Sequence, residues 1–372
     1  MENQNIKIMA DKRHNRTVEL ETKPDFEKAM DRIYAWYENE IIDRAPIRFS
    51  SHNEQNEQIV QDKKGHKSLE ERWYDSEYQV EKYLKTIREK KFLAETFPVF
   101  FPNLGPEVYS AFYGGEMVFQ EVTSYYLPIV KEWKDMYGLK LDVRNKFWRK
   151  LDEMTDIAIE KCRGLCLVGY TDFHPGLDCA AAWRDPAQFC MDMLTHQEEV
   201  KELLRFSSKD FHWIFNYWDK KLKDNGQLSV TWIGVPSYQK FHIPGADFSA
   251  MISTEMFVEF GLPLLQNEVK GIDHVVFHLD GKGVAKHIEH ILTVPEIRAI
   301  QWVQGVGADE PIMQWVPFIK KLQQAGKGVM VDLKPDELMP FMKEVNPKGI
   351  FLCISADEDN QPDIIKKVEK WK

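Results

Sequence analysis

The sequence predicts an α/β fold, a (β/α)8 TIM-type barrel with an N-terminal helical elaboration, from three observations. Short apolar runs alternate with helical stretches through the last hundred residues. About eight such runs can be counted along the chain, and polar residues stand where the runs end. Residues 273–279, 298–303, 328–333 and 349–355 read as strands, while 284–292, 311–325, 336–345 and 363–371 repeat apolar residues every three or four positions. Strand–helix alternation makes the strands parallel and leaves little room for an open sheet.

The earlier elements follow in order. Phe26, Met30, Ile33, Tyr37 and Ile41 share one helix face, and Pro46-Ile47-Arg48-Phe49 reads as the first strand. A polar insertion, 53–67, comes next, then a strand-like stretch at 92–101 and a helix starting at 108–112. Phe147, Leu151, Met154 and Ala158 mark another helix. Residues 165–171 form a buried strand running into Asp172-Phe173-His174-Pro175-Gly176. Val200, Leu204, Ser207, Phe211, Phe215 and Trp218 trace one long helix, and 228–233 gives a further strand. No linker-like composition interrupts the chain, so residues 1–24 read as a tail and 25–372 as one barrel domain.

Composition narrows the function. The chain carries 49 Lys and Arg against 59 Asp and Glu, a net charge of -10, and has no basic stripe, which argues against a nucleic-acid partner. Its polar start, Met1 to Asn5, and the lack of any bilayer-length apolar stretch lead to the expectation of a soluble, cytoplasmic protein without a membrane partner. Five cysteines, an odd number in a chain with a large core, are expected as reduced thiols.

The chemistry is expected where strands end. In His278-Leu279-Asp280-Gly281 the His and Asp are two apart on a strand and therefore share a face. They read as a catalytic or metal-binding pair, or as a hydrogen-bonded pair satisfying buried polar groups. His174, Gln304 and Asp332 are placed to hydrogen-bond a small-molecule substrate, because polar groups at strand ends are costly unless used or paired. Trp302 is either an aromatic wall of the cavity or a core residue. The loop 238–248, which includes Tyr238 and Asp247, is either a lid over the barrel mouth or a surface loop with buried anchors. His287 and His290 read as a solvated helix face. Cys162 and Cys166 read as core thiols, and Trp133, Trp148, Trp213 and Trp218 as core.

Several of these motifs occur together in one known family. Residues 178–204 with Trp183-Arg184-Asp185-Pro186, the stretch from Ile252-Ser253 to Leu262-Pro263, and His278-x-Asp280-Gly281 followed by the final strand and helix resemble the uroporphyrinogen decarboxylase superfamily. The resemblance covers roughly 25–371 and implies a (β/α)8 barrel. One branch decarboxylates porphyrinogens; the other consists of zinc methyltransferases that work with a corrinoid protein. After its first strand the decarboxylase branch carries several arginines, whereas here Arg48 is the only one, too few for multiple bidentate carboxylate pairs.

In the methyltransferase branch a His-x-Cys and a later Cys hold zinc. By resemblance His278 matches the His, Asp280 stands at the first Cys, and Cys353 matches the second. The resemblance therefore implies zinc on His278, Asp280 and Cys353, a corrinoid on a partner protein, and allows a homodimer. Replacing a thiolate by a carboxylate favours oxygen or nitrogen ligands over a thiol. The leading expectation is zinc-assisted methyl transfer. The alternatives are a decarboxylase or lyase of a small carboxylic acid using His278 and Asp280, and a non-catalytic binder of a tetrapyrrole or corrinoid.

Overall fold

A computed structural model of the chain describes residues 18–50 and 65–371. The expected insertion at 53–67 lies largely outside them. Among the described residues ten strands occur, with helices between all but β3 and β4: β1 (Ile47–Ser50), β2 (Val99–Phe100), β3 (Met117–Phe119), β4 (Ser124–Tyr126), β5 (Leu167–Val168), β6 (Phe241–His242), β7 (His274–Asp280), β8 (Ile297–Val303), β9 (Gly328–Leu333) and β10 (Ile350–Ser355). A six-stranded parallel sheet runs in the order β1-β10-β9-β8-β7-β6; β2 and β5 form a separate parallel pair, and β3 and β4 a small antiparallel one. This curled half-barrel is compatible with a TIM-like fold, although the described residues form no continuous ladder of eight strands.

Alternation of side chains divides the core into two layers. Val275, Phe277, Leu279, Ile300, Trp302, Val331 and Ile354 pack outward against the helices. Val276, Ala299, Met330, Phe351 and Cys353 face the interior with the N-terminal helix Phe26–Tyr37. His278 and Asp280 share the interior parity of Val276. The residues just before this helix are also anchored: Lys23 is fully buried and donates to the carbonyls of Phe92 and Ala94.

Glu95 fills the gap between β1 and β2. Its fully buried carboxylate accepts from Arg32 Nη1 at 3.0 Å, Arg44 Nη1 at 2.6 Å and Nη2 at 3.0 Å, and the Ile47 amide at 2.8 Å. The strand expected at 92–101 shrinks accordingly to Val99–Phe100, because these ion pairs and the Glu95 N–H bond to Ile47 O replace ladder pairing.

Four other expectations need correction. The long helix expected over 200–218 is two, Gln197–Ser208 and Phe211–Asp224, each amphipathic in its own right. Residues 228–233 contribute only an isolated bridge, Ser229 with Ser237. His287 is fully buried rather than solvated, bonding the Ser249 carbonyl and stacking on Phe257, while Trp213 is 52% exposed and lies outside the core. No helix among the described residues is long and apolar enough to cross a membrane.

Candidate metal centre

The site assembles where β7 ends. The loop leaving β6 runs beside it, and the His278 amide donates to Pro244 O at 2.9 Å. Gly245 comes next and lies between the two imidazoles: a Cβ there would lie 3.4 Å from the His174 ring and 3.8 Å from that of His278, ordinary packing distances. Asp247 then opens a short 3-10 turn, Asp247–Met251. Asp178, in the helix Leu177–Arg184, accepts from the amides of Phe248 at 2.7 Å and Asp247 at 3.3 Å, which fixes that turn. The result brings one potential ligand atom from each of Asp247, His278 and Asp280 within 4.8 Å of one another.

His278 is oriented for ligation. Its Nδ1 lies 2.8 Å from Gln301 Oε1. A carbonyl oxygen only accepts, so Nδ1 carries the proton and Nε2 keeps its lone pair. Trp232 meets the imidazole edge-on at 5.1 Å, fixing the ring from another side. Partial burial of the otherwise exposed Asp280 carboxyl pushes its pKa up, and Asp247 pushes it further, whereas His278 opposes the shift. A cation shared by both carboxylates would relieve this repulsion. One imidazole nitrogen and two carboxylate oxygens suit zinc or a harder divalent ion, and both Asp residues are solvent-exposed, leaving access to an open coordination position.

Beside this triad lies a second His–Asp pair. His174 Nε2 is 3.0 Å from Asp172 Oδ1, and its Nδ1 is buried with no partner among the described residues. Burial alone would lower the His174 pKa, but the carboxylates of Asp172, Asp178 and Asp247 raise it to about 10. Asp178 itself is pushed up to about 6 by burial and by Asp247. The stabilising charge on His174 is fully present below its unfolded pKa of about 6.5 and is lost as pH rises towards 10. We therefore expect the melting temperature to fall between pH 7 and pH 10, and the fall to be shallower in His174→Gln. Equal slopes for the two proteins would contradict this assignment.

The other anticipated residues are dispersed. Asp332 has the interior parity of Met330 and sits in register with Cys353 and, one strand further, Arg48. Burial raises its carboxyl pKa against the pull of Arg48 and His278. Gln304 is a fastener at the strand end, donating to Asp332 O and Glu310 O, each at 2.9 Å.

Three expectations are corrected. Trp302 is no cavity wall: on the outer face of β8 it is fully buried against Trp315 and Phe318. Tyr238 precedes β6 and so lies at the far end from the mouth, donating to Glu27 and packing on Tyr34. Cys353 is absent from the metal-capable group. Its thiol is buried beside Asp332 and Arg48, and burial pushes its pKa up. Accordingly, Cys353→Ala should retain bound metal in an elemental assay; loss of the metal would restore Cys353 as a ligand.

Asp172, Asp178, Gly245 and Gln301 were not singled out in the sequence. Asp172 stood two residues from His174 after a strand, the same spacing that flagged His278 and Asp280. No comparable signal marked Gln301.

Neither the protein-family models nor the curated proteins contain a match to this chain. Among solved structures the chain is similar to a methyltransferase from Methanosarcina mazei, with a TM-score of 0.60 and 12% identity over 88% of this chain and 92% of that one. At that identity the likeness establishes a shared fold, and the chain has the fold of a methyltransferase.

Proposed function

We propose that this protein is a metal-assisted methyltransferase whose metal is held by Asp247, His278 and Asp280. The observation that carries the reading is the convergence of those three ligand atoms within 4.8 Å, with His278 turned by Gln301 to offer Nε2. The fold shared with a methyltransferase supports it. When bound, the metal supplies Lewis acidity that polarises an oxygen or nitrogen of the methyl donor or acceptor. Membership of the uroporphyrinogen decarboxylase superfamily, zinc as the ion and a corrinoid protein as partner are parts of this proposal.

The remaining residues have separate tasks. Gln301 and Trp232 hold the His278 ring. Asp178 holds the Asp247 turn in place. His174, kept cationic by Asp172, presents Nδ1 as a hydrogen-bond donor to a heteroatom of the substrate. Asp332 offers an acceptor on the same interior face.

The test is elemental analysis of protein purified without added metal, followed by assays of methyl exchange between methylcobalamin and alcohols, amines or thiols. One metal per chain together with transfer supports the reading. Transfer by metal-free protein would refute it. The raised Asp280 carboxyl favours a second reading, a decarboxylase or lyase in which Asp280 and His278 move protons. Carbon dioxide release from a small carboxylic acid by metal-free protein would select it.

A further inference from the structure

A different site lies at the opposite end of the strands. Tyr37, Glu38, Asn39, Ile297, Arg298 and Lys327 are among the residues lining a cavity of about 120 Å³ at the start of β8, just ahead of β9. At roughly 30 Å³ per water, that is the space of about four waters, enough for a small oxyanion.

Two cations face this cavity on a chain whose net charge is -10. Lys327 is only 9% exposed, and its ammonium is held by the carbonyls of Ile297 at 2.6 Å and Val294 at 3.3 Å. An ammonium has three donors, so one remains unspent. Arg298 is exposed and has no ion pair or side-chain hydrogen bond among the described residues. Burial and the neighbouring Arg298 lower the Lys327 pKa, while Glu296 opposes them. The two cations therefore repel each other in a partly desolvated space, and Glu38 is the acid on the cavity wall.

We propose that this cavity binds a small oxyanion, a phosphate or a carboxylate, between Arg298 and Lys327. An anion there would cancel the repulsion, take the spare Lys327 donor and receive the planar fork of Arg298, which matches two oxygens at once. Lys327 needs little ordering on binding, because the two carbonyls already hold it. The site is independent of the metal centre and of any methyl transfer there.

The test is calorimetric titration of the whole chain with inorganic phosphate, and separately with malonate, at low ionic strength where screening is weak. Saturable one-site binding is expected, weakened roughly tenfold in Arg298→Gln by loss of a charge-assisted bidentate contact. Arg298 is exposed and unpaired, so this variant should melt at the wild-type temperature in anion-free buffer. Glu38→Gln should bind more tightly, since it removes the acid from the wall. Binding of malonate alone supports the site and identifies its anion as a carboxylate. No saturable binding of either anion, or binding unchanged by Arg298→Gln, overturns the proposal.

Discussion

His278→Ala should leave the protein folded and without bound metal, with any methyl transfer lost at the same time. The imidazole is the one nitrogen donor of the group, and alanine leaves two carboxylates that repel each other across an open mouth. Gln301→Leu makes the sharper comparison. It keeps all three ligands but removes the acceptor that fixes the His278 tautomer, and loss of such a supporting contact typically weakens metal binding 10–100-fold. Competition titration with a chromogenic chelator would measure both. Unchanged affinity in His278→Ala would move the metal elsewhere, and unchanged affinity in Gln301→Leu would show that the ring is oriented without its help.

Glu95→Ala should cost about 3–5 kcal/mol of folding stability, the usual penalty for removing one partner of a buried ion pair. The substitution strands two guanidinium groups and the Ile47 amide at once. Arg44 is almost fully buried and has only the Ala45 carbonyl to fall back on, whereas Arg32 retains Asp43, with contacts at 2.6 and 2.7 Å. The residual pairing of Arg32 sets the loss below that of two isolated buried charges. Urea unfolding of the variant would test this, and a loss under 1 kcal/mol would show that water reaches both guanidiniums.

The legible part of the sequence was the part governed by local periodicity. From β7 onward, each strand is a buried apolar run followed by a helix, and all four runs fell within a few residues of their places. Strands β2, β5 and β6 have two residues each, too few for alternation to show. The break between the helices ending at Ser208 and beginning at Phe211 was hidden because apolar spacing continues through it.

The candidate metal centre was half legible for a related reason. His278 and Asp280 sit on one strand, so their common face follows from spacing alone. Asp247 enters from the loop after β6, 31 positions before His278, and the Pro244–His278 bond together with the two amide bonds to Asp178 brings it near. Cys353 occupies a matching place along its own strand, but its thiol belongs to a row with Arg48 and Asp332. Trp302 shares the odd–even parity of Gln304, so spacing alone gave no sign that it packs on the helix side against Trp315 and Phe318.

The break between β5 and β6 has a consequence for how the two imidazoles beside the candidate metal site are held. Asp247, His278 and Asp280 are carried by β6 and β7, whereas Asp172 and His174 follow β5 on the other piece of the sheet. No ladder joins those pieces; Tyr170 stitches them, its amide donating to Val230 O at 3.0 Å and its hydroxyl to Phe241 O at 2.9 Å. The spacing of the two imidazoles therefore rests on side-chain and loop hydrogen bonds, those of Tyr170 together with Thr231 Oγ1 to Tyr170 O at 3.1 Å and Phe241 N to Ser229 Oγ at 3.0 Å, and not on strand register.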